Sequence, residues 1–419
     1  MPREAMERDS GITPPRLATR FIARRQLRCW RVLAGALVFL VGPGCLQTKA
    51  QGLLKGQDAR KAEELFQRHP SRASGCSATW TRPRLDWGFR FVAPFHVRSS
   101  AQRFAGKDNL LTALLRVTPE GQERLYLLNR GAMLREIPNN PKIELQVDGA
   151  LLLGPGRYSI DLLLLDRFGG FCTAHTDTVA RLTLRERSVR PSLAPGEVIG
   201  LSTPPWANVR NTASGRAGGR LTILLHAQPA RYNAVRISAG QRSALLGSLA
   251  SIVRDSAFSR FRVVAFNLDQ QVEIFRQDEL DAGGYTELAE ALANLQLAMV
   301  SYSVVRKPLG FQDLLARLVN AELSSPEPAN AIVFVGWTSR FDRKMPETML
   351  ERVPQSRLRF FYLNYRPYWQ RQEEFPDTIE RMVKAVGGRT VRVREPRELA
   401  AAIHRIDEAA GAPAEPQRK

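Results

Sequence analysis

Cysteine is scarce in this chain, and the motifs of the common enzyme classes are absent. Only 4 of its 419 residues are cysteines, which excludes a disulfide-rich scaffold. The sequence contains no Gly-x-Ser-x-Gly, His-Glu-x-x-His or glycine-rich phosphate loop, the patterns of α/β-hydrolases, zinc proteases and nucleotide-binding enzymes. The five histidines are dispersed. We therefore expect a protein that is not an enzyme and uses no cofactor or metal.

Long apolar runs are also lacking. A short apolar run near the N-terminus predicts a secretory leader. The basic stretch RFIARRQLRCWR precedes the apolar VLAGALVFLVG and then small residues, which is the order of regions in a signal peptide. An apolar stretch of about a dozen residues is shorter than the ~20 that span a bilayer as a helix. We expect residues 1–50 to be a signal peptide. Cleavage after Ala50 would leave an exported protein, periplasmic or extracellular, without a stable membrane span.

Three alternatives to a cleaved leader stay open at this point. An uncleaved leader would anchor the chain to the membrane, and Cys45 could be lipidated. The true start could also lie downstream of Met1. Each of them keeps the rest of the chain outside the cytoplasm.

Two cysteines, Cys76 and Cys172, follow the leader. In an oxidising compartment, two cysteines most simply form a disulfide. We therefore predict that Cys76 pairs with Cys172.

The formal net charge is +20 at pH 7, and the arginines that carry most of it are scattered. Scattered arginine favours acidic partners in general. No compact basic cluster, zinc-finger spacing or RNA-binding signature accompanies the charge, so nucleic acid is not the expected partner. Anionic envelope polymers, lipid headgroups and acidic proteins all fit this charge, which does not choose between them.

Apolar periodicity divides the chain after the leader into two main parts. Residues 51–75 predict a short helix and a lead-in. Residues 76–187 alternate with a period of two between turn signals, which is typical of an antiparallel β-sandwich and resembles an immunoglobulin-like domain. Residues 188–219 are rich in Pro, Gly and Ser and predict a linker. Strands and helices alternate over residues 220–410, and residues 411–419 are predicted to be a disordered tail.

The alternation after the linker predicts an α/β fold. Strand–helix repeats require a mostly parallel, doubly wound sheet with helices on both faces. In FRVVAFNLDQQVEIF no helix separates two predicted strands. Residues 271–275 are therefore predicted to be an antiparallel edge strand.

This part of the chain resembles the von Willebrand factor A family, and in particular exported acidobacterial proteins related to it. FRVVAFNLDQQVEIFRQ resembles the second strand and edge hairpin of that family. LGFQDLLARLVNAE resembles its Gly-Thr helix, and NAIVFVGWTS its strand ending in Thr-Asp-Gly. The resemblance covers residues 220–410 and implies a von Willebrand A-like domain behind the β-sandwich.

The magnesium site that the resemblance implies is degenerate in this sequence. Mg²⁺ requires oxygen ligands in near-octahedral geometry, which the family supplies from three motifs. His226, Gln228 and Ala230 occupy the places of Asp-x-Ser-x-Ser. Phe311 stands where Thr belongs, and Trp337 stands where the Asp of Thr-Asp-Gly belongs. We predict that the domain binds no metal.

Aromatic and arginine side chains are expected at the carboxyl edge of the predicted sheet. Ligands of doubly wound sheets bind at that edge, and such side chains are the usual anchors of binding surfaces. The predicted binding rim consists of His226, Trp337, Tyr365, Arg366, Tyr368, Trp369 and Arg371. The alternative is that these rings fold over the sheet as structural cover.

The sequence thus favours an exported, non-catalytic binding or scaffold protein whose metal-independent domain engages a protein or glycan in the envelope. The alternative is a hydrolase or transferase on the same sheet with His226 as general base. That alternative requires a nucleophile or carboxylate within hydrogen-bond reach of the imidazole.

Overall fold

The computed structural model describes most of the chain beyond the predicted leader. Within the described residues, no helix is both long and apolar enough to cross a membrane. The predicted signal peptide and the predicted C-terminal tail lie outside them. The described ranges are 51–69, 76–207, 218–230, 234–298, 301–339, 341–350, 358–366 and 377–410.

The N-terminal part is built from antiparallel strands. Its strands are β1 (Gln51–Leu54), β2 (Ser77–Trp80), β3 (Arg84–Leu85), β4 (Phe91–Ser100), β5 (Gly106–Pro119), β6 (Leu125–Ile137), β7 (Glu144–Leu153), β8 (Gly156–Leu165), β9 (Phe171–Ala180) and β10 (Val198–Gly200). One sheet has the order β1-β6-β5-β8-β9, and the other has β10-β7-β4-β2 with β3 paired to β4. Along β4 every second side chain is buried, as the period of two requires of a strand with one face on a core.

The first helix, α1 (Gly56–Arg68), covers the outer face of the first sheet. Ala62 and Phe66 lie one helical turn apart and form a small apolar core with Leu114 and Leu163 of the sheet. Because this face is covered by a helix, β5 and β8 bury apolar side chains on both of their faces.

The disulfide lies at one end of the sandwich. Cys76 and Cys172 are bonded, with their Cα atoms 5.6 Å apart. Cys76 immediately precedes β2 of one sheet, and Cys172 belongs to β9 of the other. The bond therefore ties the two sheets together and confirms the predicted pairing.

Two segments predicted to be irregular contribute strands. β1 lies in the predicted lead-in and pairs with β6. β10 lies in the predicted linker and pairs with β7. Both strands are short edge strands, so their periodicity extends over too few residues to stand out in the sequence.

The C-terminal part is a mixed sheet between two layers of helices. Its strands are β11 (Arg220–His226), β12 (Arg260–Asn267), β13 (Val272–Gln277), β14 (Ala331–Trp337), β15 (Arg359–Tyr365) and β16 (Arg389–Val393). Its helices are α2 (Ala239–Asp255), α3 (Ala282–Asn294), α4 (Tyr302–Arg306), α5 (Gly310–Leu323), α6 (Thr378–Ala385) and α7 (Pro396–Ala409). The strand order is β13-β12-β11-β14-β15-β16. β13 is antiparallel to β12, which confirms the predicted edge strand, and the other neighbours are parallel.

The helices cover the two faces of this sheet unequally. α2, α3 and α7 pack on one face around Leu249, Leu288 and Ile403. α5 and α6 pack on the other around Leu315 and Met382. The middle strands β11 and β14 are buried along their full length, as expected for parallel strands covered on both faces.

A loop of the sandwich docks on the helical side of this sheet. Asp86 closes the loop by accepting hydrogen bonds from the backbone N–H groups of Gly88 and Arg90 and from the Arg90 guanidinium. Phe89 is fully buried in the core around α2 and has a φ of 58°, a conformation that costs energy for a residue with a side chain. Ser251 of α2 donates to the Trp87 carbonyl at 2.8 Å. The sandwich and the α/β sheet therefore share a core.

Candidate functional site

The ends of β11, β14 and β15 meet at the carboxyl edge of the sheet. His226 lies opposite Gly336 in the register, and Trp337 lies opposite Tyr365. The imidazole Nδ1 of His226 lies 3.2 Å from the Trp337 carbonyl oxygen; since a carbonyl only accepts, Nδ1 carries the proton. The structure therefore brings His226 and Trp337 together as predicted.

These side chains are nevertheless not a surface. The exposed fraction is 0 % for His226, 3 % for Trp337 and 1 % for Tyr365. Trp337 and Tyr365 pack edge to face at 5.8 Å, and Trp87 of the sandwich loop stacks on Tyr365 at 4.9 Å. The rim prediction is therefore wrong for these three residues, because all three are buried: Tyr365 lies under Trp87, and His226 stacks on Phe266 at 5.2 Å.

Arg366 is also buried, at 6 % exposure. Its guanidinium lies 4.0 Å from the carboxylate of Glu380 on α6, and its backbone N–H donates to Val393 of β16. It is therefore a structural residue and not a free arginine of a binding rim. Tyr368, Trp369 and Arg371 lie outside the described residues, so their part of the rim stays a prediction.

Burial also affects the titration of the rings at this edge. It raises the pKa of Tyr365 well above the usual range of a phenol. For Tyr362, burial and the nearby charge of Asp377 both raise the pKa. Both rings are therefore neutral over the physiological range, and neither supplies a phenolate nucleophile or base.

A buried carboxylate organises the loop after β14. Asp377 is fully buried and accepts from the Ser339 N–H at 3.0 Å, the Ser339 hydroxyl at 2.7 Å, the Tyr362 hydroxyl at 2.6 Å and the Ile379 N–H at 2.9 Å. As the residue before α6, it also caps that helix. This network holds the loop to the start of α6.

The positions of the three metal motifs hold side chains that suit packing. Gln228 donates to Asp269 at 2.8 Å. Phe311 is buried and stacks on Phe341 at 4.0 Å, so its side chain supplies a ring and no oxygen ligand. Over the part of the chain that the structure describes, no group of three or more His, Cys, Asp and Glu side chains is placed to hold a metal ion. These residues do not fit a magnesium ion.

An open cavity lies beside the Phe311–Phe341 pair. Its volume is about 310 Å³. It lies between the start of α5 and the loop after β14, which places it at the carboxyl edge of the sheet on the face opposite the sandwich loop. We call it the carboxyl-edge cavity; it is lined by Pro308, Leu309, Phe311, Phe341, Asp342 and Arg343.

Exposed apolar side chains lie on the short helix that precedes this cavity in the chain. Tyr302 and Val305, one turn apart on α4, are 75 % and 66 % exposed, and Leu309 at the mouth of the cavity is 43 % exposed. Large apolar side chains that are exposed as a group mark interaction sites on soluble proteins. The sequence analysis missed this site. Its signal was Leu309 directly before α5, where a polar capping residue is the usual choice.

Comparison with known proteins identifies no family. No family model and no curated protein matches the chain. Similar solved structures include the sporulation control protein Spo0M of Bacillus subtilis (13% identity, 28% of this chain and 52% of that one, TM-score 0.16). Another is a β-glucuronidase of Bacteroides uniformis, with 10% identity over 70% of this chain and 36% of that one and a TM-score of 0.17. A third is a glycosyl hydrolase family 2 member of Bacteroides cellulosilyticus, with 12% identity over 76% of this chain and 45% of that one and a TM-score of 0.17. The chain spans about half of the first protein and less of the other two. Similarity at these TM-scores supports neither a fold nor a function.

Proposed function

We propose that this protein is an exported, non-catalytic binding protein whose α/β part is a metal-independent domain of the von Willebrand A type. The strand order with a single antiparallel edge hairpin supports the fold assignment, together with the sequence resemblance. The disulfide is compatible with an oxidising compartment and hence with export. The function rests on the carboxyl-edge cavity.

The single observation that carries this function is an open cavity, with aromatic walls and two charged residues, at the edge where doubly wound sheets bind their ligands. Stacked rings of Phe311 and Phe341 form its wall, and no ion is needed to complete it. The alternative of a hydrolase using His226 is less favoured, because a fully buried imidazole offers no path to a substrate.

A protein partner suits the cavity better than a neutral glycan. The lining combines four apolar residues with Asp342 and Arg343, so it offers an apolar wall and only two charged side chains. A sugar brings many hydroxyl groups, each of which costs free energy when it is buried without a hydrogen bond. A peptide can place one apolar side chain in the cavity and leave its polar backbone outside.

The test is capture from an envelope extract of the source cells by the immobilised full chain. Leu309→Asp places a charge at the mouth of the cavity, whereas Leu184→Asp places the same charge at a side chain that is 75 % exposed on the sandwich. Both positions are on the surface, so each change alters stability by only about 0.5 kcal/mol or less. We expect Leu309→Asp to lose the partner and Leu184→Asp to keep it. Equal capture by the two variants would refute the proposed function.

A further inference from the structure

We propose that the carboxyl-edge cavity binds an acidic peptide segment that inserts one aromatic or branched apolar side chain. This inference rests on the proposed function and adds the chemistry of the partner. It follows from the size of the cavity, the apolar surface around it and the charges at its border.

The cavity has room for a single anchor side chain. Its volume of about 310 Å³ lies at the lower end of the ~300–1,000 Å³ typical of ligand sites. The walls come from Leu309, Phe311 and Phe341. An inserted aromatic or branched side chain would pack against rings that already stack on each other, which needs no rearrangement of the core.

The apolar surface continues from the cavity along α4. The N–H of Lys307 donates to Val304, and the N–H of Gly310 donates to Lys307, so the end of α4 is joined directly to the start of α5. Gln271 also donates to the Lys307 carbonyl at 2.8 Å, which holds this turn against the sheet. We infer that the exposed Tyr302 and Val305 of α4 contact residues of the peptide that flank the anchor.

Three cationic side chains lie at or near the border of the cavity. Arg306, Lys307 and Arg343 are exposed, and within the described part of the chain none of their side chains forms an ion pair. The Arg306 guanidinium lies 5.7 Å from the centre of the Tyr302 ring. By contrast, the Arg276 guanidinium lies 2.8 Å from the carboxylate of Glu273. Exposed cations without a carboxylate among the described residues favour a partner that brings carboxylates.

The start of α5 adds to this potential. The residue before the helix is Leu309, whose side chain supplies no hydrogen-bond acceptor to the first turn. α5 begins at Gly310, between the lining residues Leu309 and Phe311, so the positive end of its dipole lies at the cavity, with Asp313 as the one acidic residue of its first turn. A carboxylate of the bound segment would take the role that a capping side chain usually has.

The experiment is selection of a phage-displayed random dodecapeptide library on the full chain, followed by fluorescence anisotropy with the enriched peptides. We expect peptides with net negative charge beside an aromatic or branched apolar residue. Their affinity should fall at least about tenfold in Leu309→Asp and in the double variant Arg306→Glu with Lys307→Glu, whose positions are on the surface. The matched controls are Leu184→Asp and Arg185→Glu with Arg187→Glu, all exposed on the sandwich, and they should bind like the original chain.

Several outcomes would overturn the inference: enrichment of basic or neutral peptides, no enrichment, or binding that Leu309→Asp leaves unchanged. Binding of dextran sulfate that is sensitive to the charge reversal but not to Leu309→Asp would also overturn it, because the site would then recognise a polyanion without an anchor. If envelope capture depends on Leu309 while no acidic peptide is enriched, the proposed function stands and only the partner chemistry is wrong.

Discussion

Single buried polar residues hold the loops of the carboxyl edge in place. Asp377 accepts five hydrogen bonds while fully buried, and Asn267 donates to the Ala227 carbonyl at 2.6 Å. Buried polar groups are stable only when they are paired, and removing one partner leaves the others desolvated. The shape of the cavity therefore depends on residues that do not touch it.

Replacement of Asp377 should be one of the most damaging changes at this edge. Asp377→Ala removes the shortest acceptor of the Tyr362 and Ser339 hydroxyls and the acceptor of the Ser339 N–H, so we expect a loss of about 1–3 kcal/mol in the free energy of unfolding. Asp313→Ala, on the exposed first turn of α5, is the control and should change it by about 0.5 kcal/mol or less. Urea unfolding of both variants measures the difference. Similar losses for the two would show that the network does not stabilise the fold.

At the scale of elements, α1 combines apolar packing with a charged network. Glu63 accepts from the Tyr126 hydroxyl at 2.5 Å and from Arg116 at 3.3 Å, and Arg116 also pairs with Asp161 at 2.9 Å. Burial acts to raise the pKa of Glu63, but the hydrogen bonds from Tyr126 and Arg116 outweigh it and lower the pKa. Burial and the hydrogen bond to Glu63 together raise the pKa of Tyr126 to about 12.

The lowered pKa of Glu63 makes the docking of α1 dependent on pH. A carboxyl group whose pKa is lower in the folded chain stabilises it above the unfolded pKa of about 4.5. That stabilisation is lost as the pH falls through the folded value. We therefore expect Glu63→Gln to be less stable than the original chain near neutral pH and to lose less stability on acidification. Glu64→Gln, next to it but exposed, is the control. Thermal melts across the acid range measure Tm as a function of pH. The curve of Glu64→Gln should run parallel to that of the original chain. A curve of Glu63→Gln that also runs parallel to it would contradict the assignment.

At the scale of the whole molecule, the sandwich and the α/β sheet meet with almost no space between their backbones. A Cβ atom on Gly247 of α2 would lie 2.9 Å from the backbone nitrogen of Gly88. The contact is made by the loop that carries Trp87 and Phe89. Glycine is needed at this place on α2 because the two backbones approach so closely.

Alanine at Gly247 should separate the effect of helix propensity from that of the contact. In a helix, Gly→Ala usually stabilises by about 0.5–1 kcal/mol, and we expect this gain for Gly240→Ala, whose Cβ would meet nothing within 4 Å. Gly247→Ala should instead destabilise by about 1–3 kcal/mol, as overpacking does. Denaturant unfolding of both variants decides the matter. A gain at Gly247 equal to that at Gly240 would mean that the two parts do not pack as described.

Much of the architecture could be predicted from local patterns, whereas the position of the carboxyl-edge cavity could not. The antiparallel edge strand β13 and the pairing of Cys76 with Cys172 followed from a missing helix and from a count of two cysteines. The short strands β1 and β10 were missed because three or four residues show no clear period. Tyr365 and Trp337 lie at the predicted edge of the sheet, but they are buried in the core instead of exposed at the surface.

The sequence by itself determined the identity and order of the long elements, because each of them shows its period within a dozen residues. Only the tertiary structure decided which strand ends are buried under other parts of the chain and which remain accessible to solvent. The stack of Trp87 on Tyr365 joins residues far apart in the chain, and no local pattern encodes such a contact. For the same reason Leu309 and Phe341, which are separated in sequence by α5 and β14, come together at one cavity only when the sheet is folded.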